Sequence, residues 1–368
     1  MLTPFLTRYA LPALAAAVVT EGKIVAVGAV GTRKAGVTIP VTVHDRFHLG
    51  SDAKAMTALL AAMLVDEGKL RWDATIVEVF PELAAQMHAR LQRVTLAQLL
   101  SHTSGIPGDN DVFADLLGKA MAQDGNLDEL RYWLVQQWSP QPLVSEPGTT
   151  FQYANMTYTI VGAIIEHLTG KTWDELITER VFTPLGLRSA GLGAQATLGK
   201  IDAPLGHLMR DGRSKAFLAG PNGDNPLILG PAGIVRMSVL DFARWAGWHA
   251  GEGKRGPHLI RAETLKKLHT PVIAIPERQS AAPGTPSRGR YALGWGEVTM
   301  EWAPEPLLYH GGSNQKNLAH IWLEPWRDFA MVVVTNIGGA QADEALFALA
   351  PKLYAMFATS QRRGQHRR

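Results

Sequence analysis

The sequence predicts an α/β fold of the α+β kind: an antiparallel sheet drawn from both ends of the chain, flanked by helices and packed on a mostly helical region. Three observations carry this. Two β-branched runs, 14–19 and 24–30, surround a short Gly-containing turn near the N-terminus. Strand-like runs at 292–300, 318–323 and 329–335 gather near the C-terminus. Between them, from Trp72 to about Gly170, the chain reads as helical pieces broken by loops. Strands at both ends with helices between them require the ends to meet in one sheet.

The expected organisation is a discontinuous sheet domain, 1–48 with 231–358, a mostly helical domain over 49–230, and a polar basic tail, 359–368. At 368 residues the chain is long for one core, since single cores stop growing near about 250–300 residues. Hydrophobic residues make up 46% and charged ones 19%, which suits a globular protein. The formal charge of +3 owes much to Arg362, Arg363, Arg367 and Arg368; without these four, 32 basic residues face 33 acidic ones. The body therefore offers no Lys/Arg stripe interleaved with aromatics, and nucleic acid is not an expected partner. With no cysteine, disulfides, thiolate catalysis and Cys-ligated zinc are excluded.

Taken in order, the stretch Leu11 to Val19 is too short for the ~20 residues of a membrane span, and Glu21 and Lys23 follow it at once. With Arg8 as a positive flank it also has the form of the apolar part of a secretory signal. Its pairing with Ile24 to Val30 favours a hairpin instead, and with it a cytoplasmic location over a periplasmic or secreted one. Pro40 to Leu49 is an irregular or extended approach. Ser51 then opens a helix in which Ala55, Leu59, Ala62, Met63 and Val65 share a face, with Gly68 as the stop. Tyr158 to Leu168 is a buried helix ended by Gly170. The Gly/Pro-rich region from Ser189 to Gly230 is of low regularity. Ser238 starts a helix with Asp241 completing a capping box. A second irregular stretch covers Pro271 to Gly289, and Ala345 to Phe357 closes the chain as an amphipathic helix that Pro351 can kink.

The chemistry centres on Ser51-Asp52-Ala53-Lys54. At a helix start, i and i+3 side chains share a face, so Lys54 reaches the Ser51 hydroxyl and supplies the base a serine nucleophile needs. The motif alone is not specific: Ser313-Asn314-Gln315-Lys316 repeats it, but beside a strand, where a spacing of three sends side chains to opposite faces. Tyr153-Ala154-Asn155 precedes a buried helix. A phenol with a pKa near 10 acts as base or proton shuttle only beside a cation such as Lys54. Asn155 can offer its amide oxygen to Lys54 and its amide nitrogen to a substrate carbonyl, or serve as a helix N-cap. In His310-Gly311-Gly312-Ser313, two residues without Cβ admit a substrate backbone, and the Ser313 N–H can pair with that of Ser51 as an oxyanion hole; a plain turn is the alternative.

Ser-x-x-Lys, Tyr-x-Asn 102 residues on and His-Gly-Gly 157 further together resemble the serine β-lactamase and penicillin-binding-protein superfamily. The resemblance is to its class C β-lactamase, D-Ala-D-Ala carboxypeptidase and family VIII esterase branch. Leu99 to Gly105, Pro184 to Leu187, Ala232 to Val235 with Asp241, and Tyr291 to Trp295 are also similar to segments of that branch. The resemblance runs from about Leu14 to about Phe357. It implies a β-lactamase/transpeptidase-like fold, an active site between sheet and helical region, and no cofactor. Ser51 would be the nucleophile, Lys54 and Tyr153 the proton-transfer pair, Asn155 a substrate ligand, and His310, Gly311, Gly312 and Ser313 the substrate-binding strand. One departure is His310, where many β-lactamases carry Lys; a histidine is mostly neutral at pH 7 and lowers the expectation of efficient β-lactam hydrolysis. Lys316 is a candidate replacement for that charge.

Other residues point elsewhere. His44 and His48 have the spacing of metal ligands but no third partner in sequence, so no metal is expected. His102, in a Ser/Thr/Gly loop, reads as architectural. Trp295 and Tyr309 fit either an acyl pocket or the core. No Gly-x-Ser-x-Gly elbow occurs. Three functions remain: an esterase or amidase on small acyl substrates, a penicillin-recognising peptidase or β-lactamase, and a non-catalytic scaffold. The expected partner is a small ester, amide or β-lactam; oligomeric state is not legible.

Overall fold

The computed structural model describes residues 1–218, 223–277 and 282–358; the expected basic tail lies outside them. Their centre is an antiparallel sheet of eight strands in the order β2-β1-β13-β12-β11-β10-β9-β8. The N-terminal hairpin is β1 (Ala13–Thr20) and β2 (Lys23–Gly31). Its two-residue turn places Glu21 at φ 51° and Gly22 at φ 72°, the paired positive values that match strand twist. The C-terminal part supplies β8 (Ile273–Ile275), β9 (Gly289–Tyr291), β10 (Gly296–Val298), β11 (Leu307–Ser313), β12 (Leu318–Glu324) and β13 (Phe329–Thr335). The two ends join where β1 pairs with β13, Leu14 opposite Thr335 and Thr20 opposite Phe329.

Both faces of the sheet are covered, which is why its central strands read as continuous apolar runs. Alternate residues serve different cores. Ala15, Ala17, Ile321, Val332 and Val334 face the larger core, with α2 (Ala53–Asp66) and most of the helices. Leu14, Val18, Trp322, Met331 and Val333 face a smaller one, closed by α1 (Leu2–Arg8) and the helix Ala340–Phe357.

A three-stranded sheet, β3 (Arg46–His48), β7 (Val235–Ser238) and β4 (Gly191–Leu192), and the hairpin β5 (His207–Arg210) with β6 (Arg213–Ala216) complete the strands among the described residues. β3 falls in the stretch expected to be irregular or extended and β4, β5 and β6 in the Gly/Pro-rich region of low regularity, while β7 lies just beyond that region and before the expected helix. The expected run 292–300 is strand only at Gly296–Val298, because Ala292 N–H bonds Trp295 O at 2.7 Å and closes a turn there. The closing helix starts at Ala340, five residues earlier than its apolar stripe suggests, and continues through Pro351. Ser238 does cap its helix, accepting from Asp241 N–H. The return half of the capping box is absent: the Asp241 carboxylate goes to Ser189, whose Oγ accepts from Ser238 N–H.

In the helical region a buried cation ties helices to the site. Arg131, fully buried, pairs with Glu166 at 2.5 Å and Asp174 at 2.8 Å. It also donates to the carbonyls of Leu227 and Ile228. Thr57 on α2 donates to Pro231 O at 2.7 Å. The segment 227–233 is thus pinned from two sides, and it carries Ala232, which reappears at the site.

Candidate active site

Ser51 sits in a 3-10 turn, Gly50–Asp52, that leads into α2. The turn is fixed from below. Leu49 N–H bonds Val235 O, Gly50 N–H donates to His48 Nδ1 at 3.0 Å, and His48 Nε2 faces Asp224 Oδ1 at 2.8 Å. It is also fixed from the side by β11, whose backbone approaches so closely that no side chain fits between. A Cβ on Gly312 would lie 1.8 Å from Leu49 O and 2.6 Å from Ser51 N, and one on Gly50 would lie 2.3 Å from Ser313 N. Gly312 of the His-Gly-Gly motif therefore admits the serine turn and brings the Ser51 and Ser313 backbones together, whereas a Cβ on Gly311 would meet the Tyr309 hydroxyl and Gly284 instead.

Lys54 is fully buried and its Nζ has three partners: Ser51 Oγ at 3.0 Å, Asn155 Oδ1 at 2.7 Å and Ala232 O at 2.8 Å. Two of these oxygens can only accept, so the proton balance of the site is settled at Ser51. Burial holds the Lys54 pKa down to about 7, with the charges of Asp109 and Asp52 opposing. The Nζ also lies 4.8 Å from the ring centroid of Tyr153 and 5.5 Å from that of Tyr158, close enough for cation–π attraction when it is protonated.

Tyr153 lines the cleft beside Ser51. Its buried hydroxyl makes no hydrogen bond of ordinary geometry among the described residues, though the Ser51 hydroxyl lies near enough to act on it. Burial raises its pKa well above the usual phenol range, Tyr291 adds to this, and the Ser51 hydroxyl opposes; the resting group is a neutral O–H. The Tyr153 ring lies 4.3 Å from that of His102. His102 is buried, held at φ 56°, and bonds through Nδ1 with Thr157 Oγ1 at 3.1 Å; its carbonyl accepts from Gln152 N–H. It shapes the approach to Tyr153.

Asn155 begins the helix Asn155–Thr169. Asp109 accepts from its backbone N–H at 2.9 Å and from its Nδ2 at 2.5 Å, which turns Oδ1 toward Lys54 and commits one of the two amide protons expected to face substrate. Sequence reasoning misses Asp109, because the contact spans 46 residues and its loop has no periodicity.

His310 is fully buried. Its Nδ1 contacts Gly311 O at 2.8 Å, so the proton resides on Nδ1, and Nε2 accepts from the Tyr291 hydroxyl at 3.0 Å. Burial, with help from Lys54, lowers its pKa to about 3. Asp52 lies 3.7 Å away, buried, with neither oxygen hydrogen-bonded among the described residues; burial raises its carboxyl well above the usual range, Lys54 opposing. Of the expected substrate strand only Ser313 lines the cleft, and its hydroxyl bonds Asn317 O within the β11–β12 turn. Lys316 lies over the Phe217 ring instead of Ser313. Trp295 and Tyr309 are core residues, on opposite faces of the sheet.

The cleft in front of Ser51 holds about 950 Å³. Phe113, Leu117, Leu208 and Leu229 give it apolar walls, Asp109 and Asp111 stand at one side, and no Lys or Arg lines it among the described residues.

An eight-stranded antiparallel sheet against a helical region, with a serine turn and a buried lysine between them, defines the class: a serine hydrolase of β-lactamase/transpeptidase fold. The Beta-lactamase family profile matches residues 1–353, and the chain belongs to that family. It is 29% identical over 337 residues to Penicillin-binding protein 4 of Amycolatopsis lactamdurans, covering 91% of this chain and 83% of the relative. It is 23% identical over 341 residues to Protein flp of Staphylococcus aureus, covering 89% of this chain but 60% of that one. Among solved structures it is similar to the octameric penicillin-binding protein homologue from Pyrococcus abyssi, with a TM-score of 0.76, 24% identity, and coverage of 96% of this chain and 76% of that one.

Proposed function

We propose that this protein hydrolyses small esters or amides through an acyl-enzyme on Ser51. Ser51 Oγ attacks the carbonyl carbon while neutral Lys54 accepts the hydroxyl proton, and the tetrahedral oxyanion is met by the N–H groups of Ser51 and Ser313. The carbon–oxygen or carbon–nitrogen bond then breaks. The leaving group takes a proton from Tyr153, which is replenished from Lys54. Water repeats the sequence on the acyl-enzyme and releases the acid. Asn155, held by Asp109, is a positioning residue that orients Lys54. The observation that carries this reading is the 3.0 Å contact between Ser51 Oγ and a fully buried Lys54 whose pKa is lowered to about 7.

The cleft supports carboxylesterase-like substrates, with penicillins turned over slowly at best. A penicillin or a D-Ala-D-Ala terminus carries a carboxylate, and the described walls offer it two aspartates and no cation. The second reading, a penicillin-recognising carboxypeptidase or β-lactamase, draws on the Tyr153-Ala154-Asn155 geometry and on the similarity to Penicillin-binding protein 4.

Intact-protein mass spectrometry over time, with a penicillin and separately with a short-chain p-nitrophenyl ester, separates these. Ester turnover without a persistent penicilloyl adduct is expected. A stable Ser51-dependent adduct, or rapid release of hydrolysed penicillin, favours the second reading. Turnover that survives in Ser51→Ala defeats both; inertness toward both compounds leaves a non-catalytic scaffold.

A further inference from the structure

A second pocket, sharing no lining residue with the Ser51 cleft, lies against the small sheet β3-β7-β4 and encloses about 420 Å³. Four guanidinium groups converge on it: Arg33, Arg46, Arg188 and Arg236. Arg236 projects from the central strand β7, half-buried, and lies over Gly191, where a Cβ would be 3.3 Å from its Cζ. Its Nε donates to Leu192 O at 3.3 Å. Arg46 stands on the adjacent strand, where β3 pairs with β7 as His48 opposite Arg236 and Arg46 opposite Ser238.

The acids present do not balance these charges. Two carboxylates line the pocket, Asp45 and Asp202. Asp45 is taken by Arg33 at 2.8 Å, and Asp202 accepts from the N–H and Oγ1 of Thr197 while its charge acts on Arg46 and Arg236 from beyond ion-pair distance. Asp224, whose charge also reaches Arg236, is held by His48 and Asn314. Among the described residues no carboxylate lies within ion-pair distance of Arg46, Arg188 or Arg236, and the buried Nε of Arg33 has no acceptor. Half-buried like charges on neighbouring strands repel, and burial together with Arg46 weakens the hold of Arg236 on its proton, with Asp224 and Asp202 opposing in part. Such an arrangement is stabilised by an anion that accepts from several guanidinium forks at once.

We infer that this pocket binds the phosphoryl group of a small phosphorylated molecule. The four guanidiniums that line it outnumber the two lining carboxylates, an excess that Asp224 offsets only in part from outside the pocket, and the planar forks match the oxygens of a phosphoryl group. The site also bears on the cleft. Arg46 lies on the strand that runs directly into Gly50 and Ser51, and Val235, next to Arg236, receives the Leu49 N–H. An occupant bridging Arg46 and Arg236 ties β3 to β7 immediately beneath the serine turn.

The test is calorimetric titration of the full chain with inorganic phosphate at fixed ionic strength, with thermal melts in parallel and acetate as comparator. Saturable binding of one phosphate per chain is expected, with a melting temperature that climbs with phosphate concentration. Affinity should fall about tenfold or more in Arg46→Gln and Arg236→Gln and be retained in Ser51→Ala. Absence of saturable binding, equal affinity in Arg46→Gln, or acetate binding as tightly as phosphate overturns the assignment. Should Arg236→Gln fail to fold, Arg46→Gln decides the matter alone, and phosphate binding that vanishes in Ser51→Ala instead assigns the anion to the cleft.

Discussion

Asp109 grips Asn155 twice, through backbone N–H and side-chain amide, and so fixes which end of that amide Lys54 meets. The aspartate also raises the lysine pKa through its charge, against the larger effect of burial. Position and proton affinity at Lys54 are therefore set in part by one exposed loop residue.

A rate profile for ester hydrolysis should rise with pH through an apparent pKa near 7, since the proposed mechanism uses Lys54 in its neutral form. In Asp109→Asn the lysine loses an attractive charge, so its pKa falls and the limb moves to lower pH, while kcat drops by about tenfold or more as Asn155 loses its orientation. A lowered kcat with an unmoved limb would reduce Asp109 to a purely structural part.

Because the Tyr153 phenol rests neutral, its contribution should follow the leaving group's need for a proton. Tyr153→Phe is expected to slow hydrolysis of ethyl esters by about 10²–10⁴-fold and p-nitrophenyl esters far less, with the limb near 7 kept. Equal losses on both substrates would remove Tyr153 from leaving-group protonation.

Gly312→Ala places a methyl where Leu49 O and the Ser51 amide already are. The strand and the serine turn must separate, and we expect a loss of about 2–4 kcal/mol in denaturant unfolding together with loss of activity. An unchanged midpoint would mean the two segments are not held in contact.

Acid should unfold the protein through histidines that packing keeps neutral, His249 and His310 buried and His269 half-buried. His269 and His310 are lowered to about 3 by burial, and His249, which bonds His269 at 2.9 Å, lies well below its usual value. Each folded-state pKa is depressed, so the unfolded chain binds more protons between about 3 and 6.5. Stability rises with pH across that window and is lost as pH falls through it, by ~1.4 kcal/mol per pH unit for each histidine. Asp52, raised by burial, opposes this above the ordinary carboxylate pKa. In His269→Gln the slope of unfolding free energy against pH between 4 and 6 should be shallower by about one proton; an identical slope would clear His269.

The elements legible in the sequence are those long enough to show a period. β1, β2, β12 and β13 have seven to nine residues each, and α2 has fourteen. β3, β4, β8, β9 and β10 have two or three, too few for alternation to stand out. β11 is legible over His310 to Ser313 only as the strand that the resemblance implies, because Gly311 and Gly312 carry no strand preference and sit where other backbone comes close. At the site, the pairing of Ser51 with Lys54 is local and readable from helical spacing. What holds the lysine is not: Ala232 and Asp109 come from segments with no regular pattern, and their roles arise only when the chain closes.

The pairing of β1 with β13 has a consequence for synthesis on the ribosome. β1 emerges well before β13 and cannot find this partner until more than three hundred further residues have been made. Such long-range pairing is slow to form, and in the interval the Ala- and Val-rich edge of β1 is exposed to other nascent chains. The serine turn likewise lacks its β11 wall until late in translation. A truncated or stalled chain would then carry Ser51 and Lys54 without the Ser313 backbone beside them, so under the proposed function the onset of hydrolysis would mark the end of folding.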